Sequence, residues 1–310
     1  MSLEFDTFVQ DGRFAPIFGF LYTLARRMCR LNSSMVSSKQ ELREYGFFPK
    51  KRLGQHFLVD RNILKKVVRT AQVGREEVVL EVGPGLGEMT IALAGLAKRV
   101  IAVEIDAGLV EILRKKLADY RNVEVVQSDI LKVDFKDFFK KGEQPIKVVA
   151  NLPYQISTPL LFRFIEAKEV FSAFTLMLQR EVGERMVAPA GGKDYGPLSI
   201  FVQLFLDVST LFFIKPSAFS PSPKVESAVV RMVWKEKPMV EKKDEEWFRR
   251  VVKACFSYRR KTLLNALKHS ELSLPEFLES RLGEAGIDPR RRPETLTIEE
   301  FIRLAKVLTV

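Results

Sequence analysis

Four short segments of this chain place glycines or polar groups where a ligand could be held, and each directly follows an apolar, strand-like run. The first, Glu81-Val82-Gly83-Pro84-Gly85-Leu86-Gly87, spaces its glycines as G-x-G-x-G. Glycine lets a backbone turn sharply and approach a ligand with no Cβ in the way. The spacing is one residue shorter than the dinucleotide pattern G-x-G-x-x-G, and the carboxylate of Glu81 would repel a pyrophosphate. A ligand with a cationic amino-acid portion, such as S-adenosylmethionine, suits such a loop better.

The second segment is Val103-Glu104-Ile105-Asp106. Glu104 stands about 20 residues past the glycines, where an acid accepts hydrogen bonds from both hydroxyls of a ribose. Asp106 fits better as the N-cap of a following helix. In the third, Gln127-Ser128-Asp129-Ile130, a carboxylate could accept from an adenine amino group while Ile130 offers the ring an apolar surface; a simple turn acid is the alternative. The fourth, Asn151-Leu152-Pro153-Tyr154, ends a buried strand with an amide, a proline and an aromatic where a plain turn would use glycine. Proline removes a donor and fixes φ, so the turn is stiff.

The elements that must carry these segments alternate. Residues 77–82, 99–104, 122–126, 146–150 and 173–178 read as strands, and 88–97, 108–119 and 159–165 as helices between them. This is the α/β pattern of a parallel sheet covered on both faces, which binds ligands at the carboxyl ends of its strands. Further strand-like runs at 208–214 and 225–234 flank a proline-stiffened loop, Phe219-Ser220-Pro221-Ser222-Pro223-Lys224. A charged, proline-containing linker follows at 235–243, and then amphipathic helices at 244–256, 260–268, 274–282 and 298–308. The expected organisation is an N-terminal extension (1–45), a catalytic domain (46–238) and a small helical domain (239–310).

With 50 Lys and Arg against 39 Asp and Glu, the net charge is +11, which favours polyanionic partners such as nucleic acid. The 2 cysteines lie far apart and the 2 histidines complete no metal-ligand spacing, so no metal is expected. No apolar run approaches the roughly 18 residues of a membrane span. The run at 15–25 precedes Arg26-Arg27, the reverse of a secretory signal. That order speaks against export; of a packed or membrane-touching extra helix, an organelle-type presequence and a true start at Met35, the last two account better for this extension.

Five ordered motifs now resemble one family. Phe48-Pro49-Lys50-Lys51-Arg52-Leu53-Gly54-Gln55-His56-Phe57-Leu58, EVGPGLG, NLPYQISTP, Phe219 to Ser227 and Phe256-Ser257-Tyr258-Arg259-Arg260-Lys261-Thr262-Leu263 are similar to the small-subunit ribosomal RNA adenine N6,N6-dimethyltransferases, whose loss in bacteria gives kasugamycin resistance. The resemblance runs from about Phe47 to the C-terminus; the residue after Tyr154, often asparagine in the family, is Gln155 here.

The resemblance implies a Rossmann-like S-adenosylmethionine domain with a small all-helical C-terminal domain. It further implies dimethylation of two adjacent adenosines in the 3'-terminal hairpin of small-subunit rRNA during ribosome biogenesis. Gln55, His56 and Leu58 would border the cofactor, and Gly83, Gly85, Glu104, Asp129 and Asn151 would contact it or shape its pocket.

An adenine N6 amine is a poor nucleophile because its lone pair is delocalised into the ring. Acceptors aimed at its two hydrogens, the Asn151 side-chain oxygen and the Leu152 carbonyl, would favour the geometry that frees that pair. Tyr154 and Phe219 would stack on the two faces of an extruded base, with Phe219 as a core residue the alternative. Lys50, Lys51, Arg52, Lys224, Arg259, Arg260 and Lys261 are the candidate RNA contacts, alongside Arg249-Arg250, Lys253 and Arg290-Arg291-Arg292. A cytoplasmic monomer acting on the small ribosomal subunit or its rRNA, without a membrane partner, is expected.

Three rival readings share parts of this pattern. A large-subunit rRNA adenine methyltransferase of the macrolide-resistance type shares the cofactor and Asn-x-Pro-Tyr motifs, but Leu53-Gly54-Gln55 and the R-R-K-T-L run favour the small-subunit enzyme. A family-derived mitochondrial transcription factor would suit the extension, yet every cofactor segment is intact. A nicotinamide dehydrogenase is disfavoured by the glycine spacing and by Glu81.

Overall fold

The computed structural model describes residues 44–139, 142–258 and 260–309. Expectations about the N-terminal extension up to residue 43, Met35 included, lie outside the described residues, as does Arg259.

A central sheet runs in the order β4-β3-β2-β5-β6-β9-β7. Its strands are β2 (Val78–Val82), β3 (Arg99–Glu104), β4 (Val123–Gln127), β5 (Ile146–Asn151), β6 (Phe171–Gln179), β7 (Leu206–Ile214) and β9 (Ser227–Trp234). The pairings β3–β4, β2–β3, β2–β5 and β5–β6 are parallel, as the alternating pattern requires. β9 then enters antiparallel between β6 and β7. Chain order reverses around β2, between β3 and β5, so the crevice for a ligand opens at the carboxyl ends of these three strands.

Alternate side chains of β2 feed opposite faces. Val78, Leu80 and Val82 join one apolar cluster and Val79 another. The second cluster is closed by α1 (Arg61–Thr70) and α2 (Glu88–Ala94), through Leu64, Val67, Val68, Met89 and Leu93. α3 (Ala107–Lys116) is capped by Asp106, which accepts from Gly108 N at 3.0 Å, as its position suggested. α4 (Ser157–Glu166) closes the first cluster through Leu160, Leu161 and Phe164.

The helix α1 was not expected, although Asp60 caps it by accepting from Asn62 N and Ile63 N. α5 (Arg180–Val187) and α6 (Pro197–Phe205) also escaped the pattern; α6 is buried on most of its surface and carries no amphipathic stripe.

A two-residue strand β1 (Phe57–Leu58) pairs antiparallel with β8 (Phe219–Ser220), matching Phe57 with Ser220 and Leu58 with Phe219. This ribbon joins segments far apart in sequence, and periodicity gives no warning of it.

Beyond β9 come α7 (Glu245–Ser257), α8 (Leu263–Lys268), α9 (Leu278–Glu284) and α10 (Ile298–Val307). The expected helix at 260–268 starts late because Thr262 is extended, at φ −64° and ψ 159°. That at 274–282 is displaced: Pro275 disfavours helix for Leu274, and Phe277 sits left-handed at φ +58° before α9 begins. Phe248, Val251, Leu263, Leu267, Phe301 and Leu304 from these helices belong to the same apolar cluster as one face of the sheet.

Candidate active site

The glycine loop owes its shape to three left-handed residues, Gly83 (φ +66°), Gly85 (φ +60°) and Gly87 (φ +80°). A side chain there would be strained, and a Cβ on Gly85 would stand 2.8 Å from the Phe57 ring. A Cβ on Gly83 would meet Pro153 at 3.6 Å, so this loop lies directly against the Asn151–Tyr154 turn.

Glu104 ends β3 facing the loop. It accepts from Asp106 N at 2.9 Å and, weakly, from Gly85 N at 3.4 Å. Burial raises its pKa, and the two backbone donors pull the other way. Asp129 follows β4; its carboxylate accepts from Leu131 N at 3.0 Å, and Ser128 N donates to the Glu104 carbonyl at 3.0 Å. Glycine loop, Glu104 and Asp129 therefore line neighbouring strand ends.

Glu81 is buried beneath the glycines at 1% exposure. Burial first, and the Glu104 charge after it, push its carboxyl up to about 8, with the Thr90 hydroxyl acting in the opposite sense. That hydroxyl nevertheless stops short of hydrogen-bond geometry, so Glu81 Oε2 and Thr90 Oγ1 are both buried without a hydrogen-bond partner. Buried polar atoms of this kind call for a ligand or water to satisfy them. An orphaned carboxyl oxygen, which a neighbouring cation would ionise, a collar of left-handed glycines and a second acid at the adjacent strand end together fit S-adenosylmethionine, which offers an ammonium, a sulfonium and a ribose.

Lys50 and Gln55 serve Asp106. Lys50 Nζ donates to Asp106 Oδ1 at 2.8 Å, Gln55 Nε2 donates to Oδ2 at 3.2 Å, and Gln55 Oε1 accepts from Lys50 N at 2.8 Å. Burial works against the Asp106 charge, but Lys50, Gly108 N and Gln55 outweigh it and hold the pKa low. Lys50, read from the sequence as an RNA contact, is thus committed to a buried carboxylate.

At the end of β5, Asn151 Nδ2 donates to the His56 carbonyl at 3.0 Å. A carbonyl can only accept, so this bond fixes which end of the amide faces His56 and turns Oδ1, the acceptor end, away from it. Leu152 N donates to Met177 O at 2.9 Å, which pins the Leu152 backbone to β6. The Tyr154 hydroxyl pairs with Ser227 Oγ at 2.8 Å, and its pKa is raised by burial despite that bond.

His56, expected to border the cofactor, touches the turn and the proline loop. Its ring stacks on Tyr154 with centroids 5.5 Å apart, and Nδ1 donates to the Pro221 carbonyl at 2.7 Å. Leu58 lies in β1 beside Phe219. Phe219 itself is 4% exposed and packed in the cluster with Leu64, Ile214 and Ala218, so in this structure its ring is not open to a base. Its burial fits the alternative reading of Phe219 as a core residue, and the β1–β8 pairing sets it beside Leu58.

Of the remaining basic candidates, Arg52, Lys224 and Arg260 are exposed and Lys261 half-buried; Lys51 lies in a short 3-10 turn. Leu263 N donates to Arg291 O and Leu264 N to Pro289 O, which sets the Arg260-Lys261 segment beside residues 289–292. Arg290 and Arg292 are exposed there. Arg249 and Arg291 are tied to Glu166 and Glu300, and Arg290, though exposed, pairs with Asp288 through Nε at 3.2 Å and Nη2 at 3.1 Å.

An acid- and glycine-lined crevice at the carboxyl ends of a parallel sheet, facing an Asn-Leu-Pro-Tyr turn, defines a Rossmann-like adenine methyltransferase. Residues 46–309 match the family described as ribosomal RNA adenine dimethylase, and the chain belongs to that family. It is 46% identical over 278 residues to the ribosomal RNA small subunit methyltransferase A of Bacillus mycoides (strain KBAB4), covering 87% of this chain and 95% of that one. The protein of the same name from Bacillus cereus (strain B4264) is 45% identical over 280 residues, covering 88% and 96%. Among solved structures, a dimethyladenosine transferase from Plasmodium falciparum superposes with a TM-score of 0.67 at 31% identity, over 80% of this chain and 96% of that one. The 23S rRNA methyltransferase ErmE gives 0.62 at 27% identity, over 81% and 99%.

Proposed function

We propose that this protein uses S-adenosylmethionine to dimethylate N6 of two adjacent adenosines in the 3'-terminal hairpin of small-subunit rRNA. The observation that carries the reading is the Asn151 amide, whose polarity is set by the His56 carbonyl. Oδ1 is thereby preset as an acceptor before any substrate arrives.

When bound, the cofactor supplies an electrophilic methyl group on a sulfonium. The chain's own residues do the rest. Glu104 takes the ribose hydroxyls, Asp129 the adenine amino group, and Glu81 gives the cationic amino-acid end a carboxylate beneath the left-handed glycines.

Asn151 Oδ1 and the Leu152 carbonyl accept the N6 hydrogens of the target base, which turns the nitrogen lone pair out of conjugation. Pro153 holds that turn rigid and Tyr154 presents a ring to the base. The proton released with each methyl passes to solvent, since positioning and charge complementarity leave no task for a strong base.

Arg52, Lys224, Arg260, Lys261, Arg290 and Arg292 meet phosphates. Residues 46–238 form the catalytic domain and 239–310 the RNA-binding one. The protein works as a cytoplasmic monomer on the small subunit; among the described residues no helix is long and apolar enough to cross a membrane.

The test incubates the protein with labelled cofactor and either undermethylated small subunits or large subunits. Label confined to the small-subunit rRNA supports the reading, and label in the large-subunit rRNA, or none, contradicts it.

A further inference from the structure

We propose that Arg163 is a positioning residue that holds the Asp129–Ile130 loop in register with the Asn151–Tyr154 turn. β4 is an edge strand, half-exposed along its length, so no neighbouring strand supports the outer side of the segment that follows it. The loop's own bonds are local. Leu131 N donates to Asp129 Oδ1 at 3.0 Å and Lys132 N to Asp129 O at 2.8 Å. Such bonds fix the shape of a turn. Past Ser128 they do not fix where it lies on the protein.

Ile130 and Phe135 anchor the segment's side chains in the apolar cluster, and Arg163 fixes its backbone from α4. Nη1 donates to the Ile130 carbonyl at 2.7 Å and Nη2 to the Val133 carbonyl at 2.6 Å. The guanidinium lies 4.7 Å from the centroid of the Phe135 ring. Two carbonyls and a ring face call for a planar fork with several donors, which lysine lacks.

The helix that bears Arg163 starts three residues beyond Tyr154 and is fastened to the turn: Ser157 Oγ donates to Tyr154 O at 3.0 Å and Ile156 N to Pro153 O at 3.1 Å. Arg163 therefore spans from the element that presents the target base to the loop that receives the adenine of the cofactor. The inference rests on the reading of Asp129–Ile130 as that adenine site.

The experiment measures calorimetric affinities of the full chain for S-adenosylhomocysteine and for its inosine counterpart, which carries a carbonyl where adenine carries its amino group. Wild type, Asp129→Ala, Arg163→Met and Arg163→Lys are compared, each with a thermal melt. Wild type should prefer the adenine ligand by about tenfold or more, the value of one well-made hydrogen bond. Arg163→Met should lose most of that preference, as Asp129→Ala does. Arg163→Lys, which can still reach one carbonyl, should keep part of it and serves if the Met variant fails to fold.

In steady state, the KM for cofactor should rise more in Arg163→Lys than kcat falls. Full adenine preference in both Arg163 variants, alongside its loss in Asp129→Ala, overturns the role of Arg163. Full preference in Asp129→Ala removes the adenine-site reading itself, and the inference with it.

Discussion

The side-chain amide of Asn151 is oriented by a backbone carbonyl 95 residues away in sequence, that of His56, at 3.0 Å. The bond uses the donor end of the amide and commits the acceptor end to the other side. Asn151→Ala should lower turnover by about a hundredfold or more, the usual cost of losing one preorganised transition-state partner. Cofactor affinity should change by less than about threefold. Asn151→Asp should not rescue turnover, because a carboxylate facing the His56 carbonyl is repelled rather than held. Single-turnover methylation beside calorimetric cofactor binding checks both variants.

Glu104 divides its duties differently. It accepts from two backbone N–H groups and keeps a carboxylate at the end of β3. Glu104→Gln should weaken cofactor binding by about tenfold or more, with turnover at saturating cofactor far less affected. Equal loss of cofactor affinity in Glu104→Gln and Asn151→Ala would contradict this separation of roles.

Glu81 makes the free protein sensitive to pH. Its carboxyl sits at about 8 when folded, against an ordinary value of 4.5. Between these values the folded state holds a proton that the unfolded state has released. Stability should therefore fall as pH rises through that window, and the penalty is complete above the folded value. Denaturant unfolding at about pH 5 and about pH 8.5 should show a smaller decline in Glu81→Gln than in wild type. Glu104, raised by burial, contributes in the same sense, so the flattening should be partial.

Gly85 tests the loop. Alanine there must adopt φ +60° and place its Cβ 2.8 Å from the Phe57 ring. Gly85→Ala should cost about 1–3 kcal/mol of stability and weaken cofactor binding, read by thermal melting with and without the cofactor.

How much of this was legible in the sequence follows from what is local. The parallel strands and the segments at their ends are written in short-range periodicity and turn chemistry, so the place of Gly83, Gly85, Glu104, Asp129 and Asn151 at strand ends could be read in advance. Partnerships across the fold were not. Nothing near His56 tells that its carbonyl meets Asn151 and its ring Tyr154. The core alternative for Phe219 could be read from its loop, but its pairing with Leu58 could not, nor could the claim of a buried Asp106 on the charge of Lys50. Charge runs hide partners in the same way: in the Arg290-Arg291-Arg292 run, Arg291 folds back onto Glu300 and Arg290 pairs with Asp288.

The most direct test of the account counts methyl groups by position. Undermethylated small subunits, treated with this protein and excess cofactor, should gain four methyl groups, two on N6 of each of two neighbouring adenosines in the 3'-terminal hairpin, resolved by mass spectrometry of rRNA fragments. The same treatment with Asn151→Ala should leave them unmodified. Methylation by the wild type at a single adenosine, at non-adjacent sites or in another helix would contradict the account.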